Sequence, residues 1–220
     1  MTTPDYKLAA KRATETLIKY NISFAPVMPL PIIKQIPGVL ALSFAEMETQ
    51  TGHERDSLIK MLCTDSHDAV TYVKPVDGSL RYLIAYNQRL PLYMLQRSLA
   101  VELGHIILEH DGSKPEDVRQ EEASCFAKYL LFPRPLLHAV QQAGIPLTVE
   151  VIGNMTGCYE RCLKALRKMP GIRIEPQYNH LVKTAFQQYI DNYLDFQRLY
   201  AQTDESQLAD LGTYMDNYIE

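Results

Sequence analysis

SLAVELGHIILEHDG, residues 98 to 112, decides how the chain is to be read. Its apolar residues recur at three- and four-residue steps ahead of Asp111-Gly112, and Pro91 suits a first helical turn; together they predict a helix from about Leu92 to His110. A helix turns about 100° per residue, so positions 101 and 105 stack on one ridge and 102 sits beside them. Glu102 and His105 therefore share a face, with Val101 one turn ahead of the histidine. Gly104 removes a side chain where a neighbouring element can pass close to this helix.

Upstream of that helix the character alternates. Tyr6, Ala9, Ala13, Leu17 and Tyr20 mark a helix over residues 4 to 20. Pro26, Pro29 and Pro31 break the chain before a short helix, PIIKQI. From Val39 to Asn87 the apolar residues come in short runs, VLALSFAEM, LIKMLC, AVTYVKP and LRYLIAYN, which predict a small, mostly antiparallel sheet. Asp77-Gly78 between the last two runs suits the positive backbone angles of a tight hairpin.

Downstream the chain reads as helical. One segment runs from Pro115 to Leu131 and is ended by Pro133; others cover about 134 to 143, 147 to 155 and 158 to 169. From Val182 onward Phe186, Tyr189, Tyr193, Phe196 and Tyr200 form an aromatic seam. Leu208, Leu211, Met215 and Tyr218 repeat it after Thr203-Asp204, as expected of a helical hairpin packed on itself or on the main body.

With 220 residues, of which 46% are hydrophobic, the chain can bury a proper core. A net charge of -4 argues against broad electrostatic binding to nucleic acid or anionic membrane. The N-terminus has no apolar signal segment and no run is long enough to span a bilayer, so a cytoplasmic protein is expected. The four cysteines are too scattered for a disulfide framework; Cys158 and Cys162 sit at helical spacing in CYERC.

Glutamate and histidine three apart on one helix face are two parts of a HExxH site. There two histidines on one ridge hold zinc, and the glutamate between them acts on the metal-bound water as general base. Val101 has no lone pair and cannot take the first histidine's place. A second acidic helix, EEASCFAKYLLFP, follows after a short link and offers the carboxylate that a His, His, Glu site takes from elsewhere.

The run YNQRLPLYMLQRSLAVELGHIILEHDG, followed by EEASCFAKYLLFPRPLL, resembles the ImmA/IrrE family of metallo-endopeptidases. That family's pattern is a HExxH helix after a hairpin and then a helix with E-A-x-x-F-A-x-x-L-L-x-P. The resemblance covers about residues 5 to 168. It implies an α+β, mainly helical, zincin-like metallopeptidase domain over residues 1–170, with residues 171–220 as a C-terminal helical extension. It also implies Glu102 as general base, and His105 and Glu122 as zinc ligands, with Glu121 the neighbouring candidate. The partner it implies is a helix-turn-helix repressor, either cut or, in a non-catalytic pseudopeptidase, only bound.

Val101 leaves three outcomes for the metal site. His67, His110 or another histidine can substitute; Glu102 can itself ligate in a carboxylate-rich iron or manganese site; or the site is degenerate and holds no metal tightly. Against ligation, His110 at a helix end reads first as a ring on the negative end of the dipole, and His67 as a loop histidine. Arg161, Lys164 and Lys168 lie along one helix after a Gly-containing turn; a solvated basic face is expected there rather than a DNA-reading helix. Residues 171 to 220 carry three Lys or Arg against eight Asp or Glu, an acidic tail suited to masking a basic surface or to a homodimer contact rather than to DNA.

Overall fold

A computed structural model describes residues 3–61, 68–110, 113–157 and 171–202. The helix read from Cys158 onward, its basic face, His67, and the second half of the C-terminal hairpin lie outside the described residues. Helix α1 (Tyr6–Lys19) starts where the Asp5 carboxylate accepts from the Leu8 N–H at 2.8 Å. Helix α2 (Pro29–Ile33) begins on Pro29, two residues earlier than read.

Three strands follow: β1 (Val39–Ser43), β2 (Ala69–Val76) and β3 (Ser79–Tyr86), in the order β1-β3-β2. β2 and β3 form the expected antiparallel hairpin, with Asp77 and Gly78 at φ 50° and 75°. β1 joins β3 in parallel, so the small sheet is mixed. Two of the apolar runs read as sheet are partly helical. VLALSFAEM splits at Ser43, which caps α3 (Phe44–Thr51) in a reciprocal box with Glu46, and LIKM belongs to α4 (Arg55–Met61). The Ser-x-x-Glu spacing of Ser43 and Glu46 is the signal that separates strand from helix here.

The outer face of the sheet packs on α3 and α4 through Phe44, Met47, Leu58 and Ile59. Its inner face, through Ala69, Ile84 and Tyr86, joins the main core around α1, α5 (Leu92–Ile107) and α6 (Glu116–Leu131). Helices α7 (Arg134–Gln142) and α8 (Val149–Thr156) close one end. Helices α9 (Pro176–Ala185) and α10 (Gln187–Gln202) complete the described chain.

The aromatic seam is split. Phe186 separates α9 from α10 and is fully buried, Tyr189 and Tyr193 stack at 6.4 Å, and Phe196 is exposed. Ile174, Val182, Phe186 and Ile190 enter the main core, and α9 packs on α1 and α7. Cys125 is free and buried, and burial pushes its thiol up to about 11, so it behaves as a small apolar side chain. Among the described residues no helix is long and apolar enough to cross a membrane.

The close pass anticipated at Gly104 is where α5 meets α6. A Cβ on Gly104 would lie 3.1 Å from the Ala123 Cα and carbonyl oxygen and 3.1 Å from the Phe126 ring. Gly104→Val adds two further carbons to that contact and should destabilise the protein by about 2 kcal/mol or more. A urea midpoint unchanged from wild type would show that the helices do not cross so tightly.

Candidate functional site

The site is built by the end of α5. That helix stops at Ile107, three residues before the expected end. Glu109 instead adopts φ 53°, the left-handed conformation usually given to glycine. The Glu109 N–H donates to the Ile106 carbonyl at 3.1 Å and the His110 N–H to the His105 carbonyl at 3.0 Å, the paired bonds of a Schellman end. This reversal lays residue 110 back over residue 105.

The two rings meet through their Nδ1 atoms, 2.9 Å apart, at an interplanar angle of 69°. The other nitrogen of His110, Nε2, lies 2.9 Å from Glu122 Oε2. His110 is therefore not a solvent-facing cap on the helix dipole; its side chain is 1% exposed and links His105 to Glu122.

Glu122 is the most deeply placed charge of the site, at 1% exposure. Lys114 Nζ donates to both of its oxygens, at 2.9 and 2.8 Å, and the Asp5 N–H donates to Oε1 at 2.8 Å. Burial works to raise its pKa, but the Asp5 amide, Lys114 and His110 outweigh burial and hold the carboxyl below its usual range. Glu121, its neighbour, faces outward and accepts a hydrogen bond from the Tyr6 hydroxyl.

With Glu122 ionised, His110 donates from Nε2 and accepts at Nδ1 from the Nδ1–H of His105. The lone pair of His105 Nε2 then faces Gln120, whose side-chain oxygen is placed 3.3 Å away; the amide must turn its NH₂ to the ring to complete the chain. Burial holds both rings below their ordinary pKa, against the opposing pull of Glu102 on His105 and of Glu122 on His110. Burial thus favours the neutral form of both imidazoles.

Glu102 lies on the sheet side of the same helix. Burial pushes its carboxyl above the usual range, opposed by Thr71 of β2 and by His105. The Thr71 hydroxyl is buried without a hydrogen bond of ordinary length, so its support for the Glu102 carboxylate is weak. Val101 is 7% exposed and belongs to the main core.

Residues 56–151 match the family model of the IrrE N-terminal-like domain, a peptidase family. That segment is similar to an IrrE N-terminal-like domain. No curated protein and no solved structure matches the chain. The IrrE-like segment holds Glu102, His105, His110, Lys114 and Glu122, whereas the Asp5 amide reaches Glu122 from outside it.

The donors do not fit the zinc that an IrrE-like peptidase implies. Ligand nitrogens at about 2.0 to 2.1 Å from a tetrahedral zinc sit about 3.3 Å apart, while the two Nδ1 atoms are at hydrogen-bonding distance. His110 turns opposite nitrogens to His105 and to Glu122, so one ion cannot meet all three. Glu122 is already neutralised by Lys114, and among the described residues no three His, Cys, Asp or Glu side chains are grouped to hold a metal. Lys114, Gln120, Thr71 and the Asp5 amide have no signature in the sequence; of the added partners only His110 is a candidate there, as a substitute ligand.

Because the unfolded chain takes up protons that the buried rings refuse, stability should fall as pH drops below about 6.5, the ordinary histidine value. His110→Gln should flatten that slope in urea titrations at successive pH values. Lys114 is 35% exposed, so water replaces part of its contact, and Lys114→Met should cost about 1 to 2 kcal/mol at pH 7. The depressed pKa of Glu122 contributes stability above the usual carboxylate range, lost as pH falls through its folded value, so the gap between variant and wild type should close in acid. A gap independent of pH would mean that Lys114 acts through packing alone.

Proposed function

We propose that this IrrE-like protein binds a regulatory protein, by resemblance a helix-turn-helix repressor, and does not cut it. The observation that carries this reading is the saturation of Glu122. Its oxygens accept from the Lys114 ammonium, the Asp5 amide and His110, so Glu122 is not free to join His105 on a metal. Val101, buried among apolar side chains, supports the same conclusion, since a donor there would complete the helix's pair.

The competing reading is a metallo-endopeptidase with Glu102 as general base. It is favoured by His110, which lies between the two residues that the resemblance names as ligands. For it to hold, Lys114 must leave Glu122 and His110 must present one nitrogen to an ion shared with its neighbours. Each change exposes a buried charge or breaks a charge-assisted hydrogen bond.

Elemental analysis of untagged protein, purified without chelator and dialysed against trace zinc, iron and manganese, separates the two. Wild type is expected to hold far less than stoichiometric metal and to leave a co-purifying repressor intact, and Val101→His with Lys114→Met to take up zinc. Stoichiometric metal in wild type, with repressor cleavage abolished by Glu102→Gln, would overturn the proposal.

A further inference from the structure

The outer face of the sheet runs on past α3 and α4 toward the hairpin turn. Leu40, Leu83 and Tyr72 stand in register there, one on each of β1, β3 and β2. Leu83 is partly buried against the cluster under α3 and α4, but Leu40 is 55% exposed and Tyr72 53%. Two residues further along each strand, and so on the same face, Lys74 of β2 sits directly opposite Arg81 of β3, and both are exposed.

Like charges directly opposite each other across two strands repel. Neither Lys74 nor Arg81 makes a hydrogen bond or ion pair with a described residue. Arg81 lies across Gly38, two residues before Leu40: a Cβ on that glycine would sit 3.5 Å from the Arg81 Cδ and Nη1. The two cations thus border the apolar stripe of Leu40, Leu83 and Tyr72. A segment that brings carboxylates and apolar side chains together matches both halves of this surface.

We infer that this face is the docking site of the chain's own acidic segment, residues 203–220, which lies outside the described residues. Charge singles the segment out. It holds five of the chain's 26 acidic residues and none of its 22 basic ones, so the rest of the chain carries 22 cations against 21 anions. All of the chain's negative excess is therefore in this segment. Leu208, Leu211, Met215 and Tyr218, at three- and four-residue steps among the carboxylates, supply the apolar half of the match. Extended, the segment spans up to about 60 Å, against a diameter of about 45 Å for a compact chain of this length, so reach from the end of α10 sets no limit. With the segment in place the face is closed to other acidic partners until the segment leaves it. The contact is independent of the histidine pair and of whether the protein cuts its partner.

Carbodiimide cross-linking of the full chain tests the assignment, with nitrogen-15-labelled and unlabelled protein mixed equally and the products read by mass spectrometry. Lys74 should form amide bonds to carboxylates of residues 204–220 in higher yield than any other lysine, with both ends of each cross-link from one copy. Arg81→Glu and Tyr72→Ser, both at exposed positions, should lower that yield by about tenfold and about threefold, while Lys183→Glu on α9 leaves it unchanged. The inference fails if the segment joins another lysine preferentially, if it does not join Lys74, or if the two hairpin variants cross-link as wild type does. Cross-links between a labelled and an unlabelled copy would equally overturn it and make the face a contact between two copies.

Discussion

Everything at the site depends on how closely α5 can approach α6. Without a Cβ at position 104, the Ala123 backbone and the Phe126 ring come against the helix that carries His105. That contact fixes Glu122 beneath the end of α5, and burying a carboxylate there requires donors. The chain supplies them from three directions: His110 from the reversed end of α5, Lys114 from the link between the helices, and the amide of residue 5 from the start of α1. The arrangement is one of a carboxylate satisfied by the protein's own cation. In a metallopeptidase the metal would carry that charge.

The parts of the fold with a strong local signature were legible. The hairpin at Asp77-Gly78, the helix after Pro91 and the helix ended by Pro133 each rest on backbone preferences that act within a few residues. The small mixed sheet was harder, because a run such as VLALSFAEM has no apolar period that separates strand from helix. The Ser43–Glu46 box that divides it is one hydrogen-bonded pair within the run. The pairing of β1 with β3 in parallel is a long-range outcome that local pattern does not carry.

At the site, legibility ended where side chains meet across the sequence. Glu102 and His105 were readable because helical spacing alone puts them on one face. His110 was read as a cap because Asp111-Gly112 offered a later and more ordinary helix end; the actual reversal uses Glu109, whose left-handed conformation costs about 1 to 2 kcal/mol and has no sequence marker. Lys114 was invisible for a different reason. A lysine in a polar link is ordinary until one knows that a carboxylate is buried beside it.

The hydrogen bond from the Asp5 amide to Glu122 spans 117 positions of chain. Glu122 belongs to the IrrE-like segment and Asp5 does not, so that segment's most buried charge is completed by a residue outside it. Closing so large a loop is slow in entropy terms, and the contact contributes only once it is closed. Without α1 in place, the carboxylate between α5 and α6 lacks the Asp5 amide and stays partly hydrated. The first helix thus acts as the bolt of the structure, locking a site whose side chains all come from the IrrE-like segment.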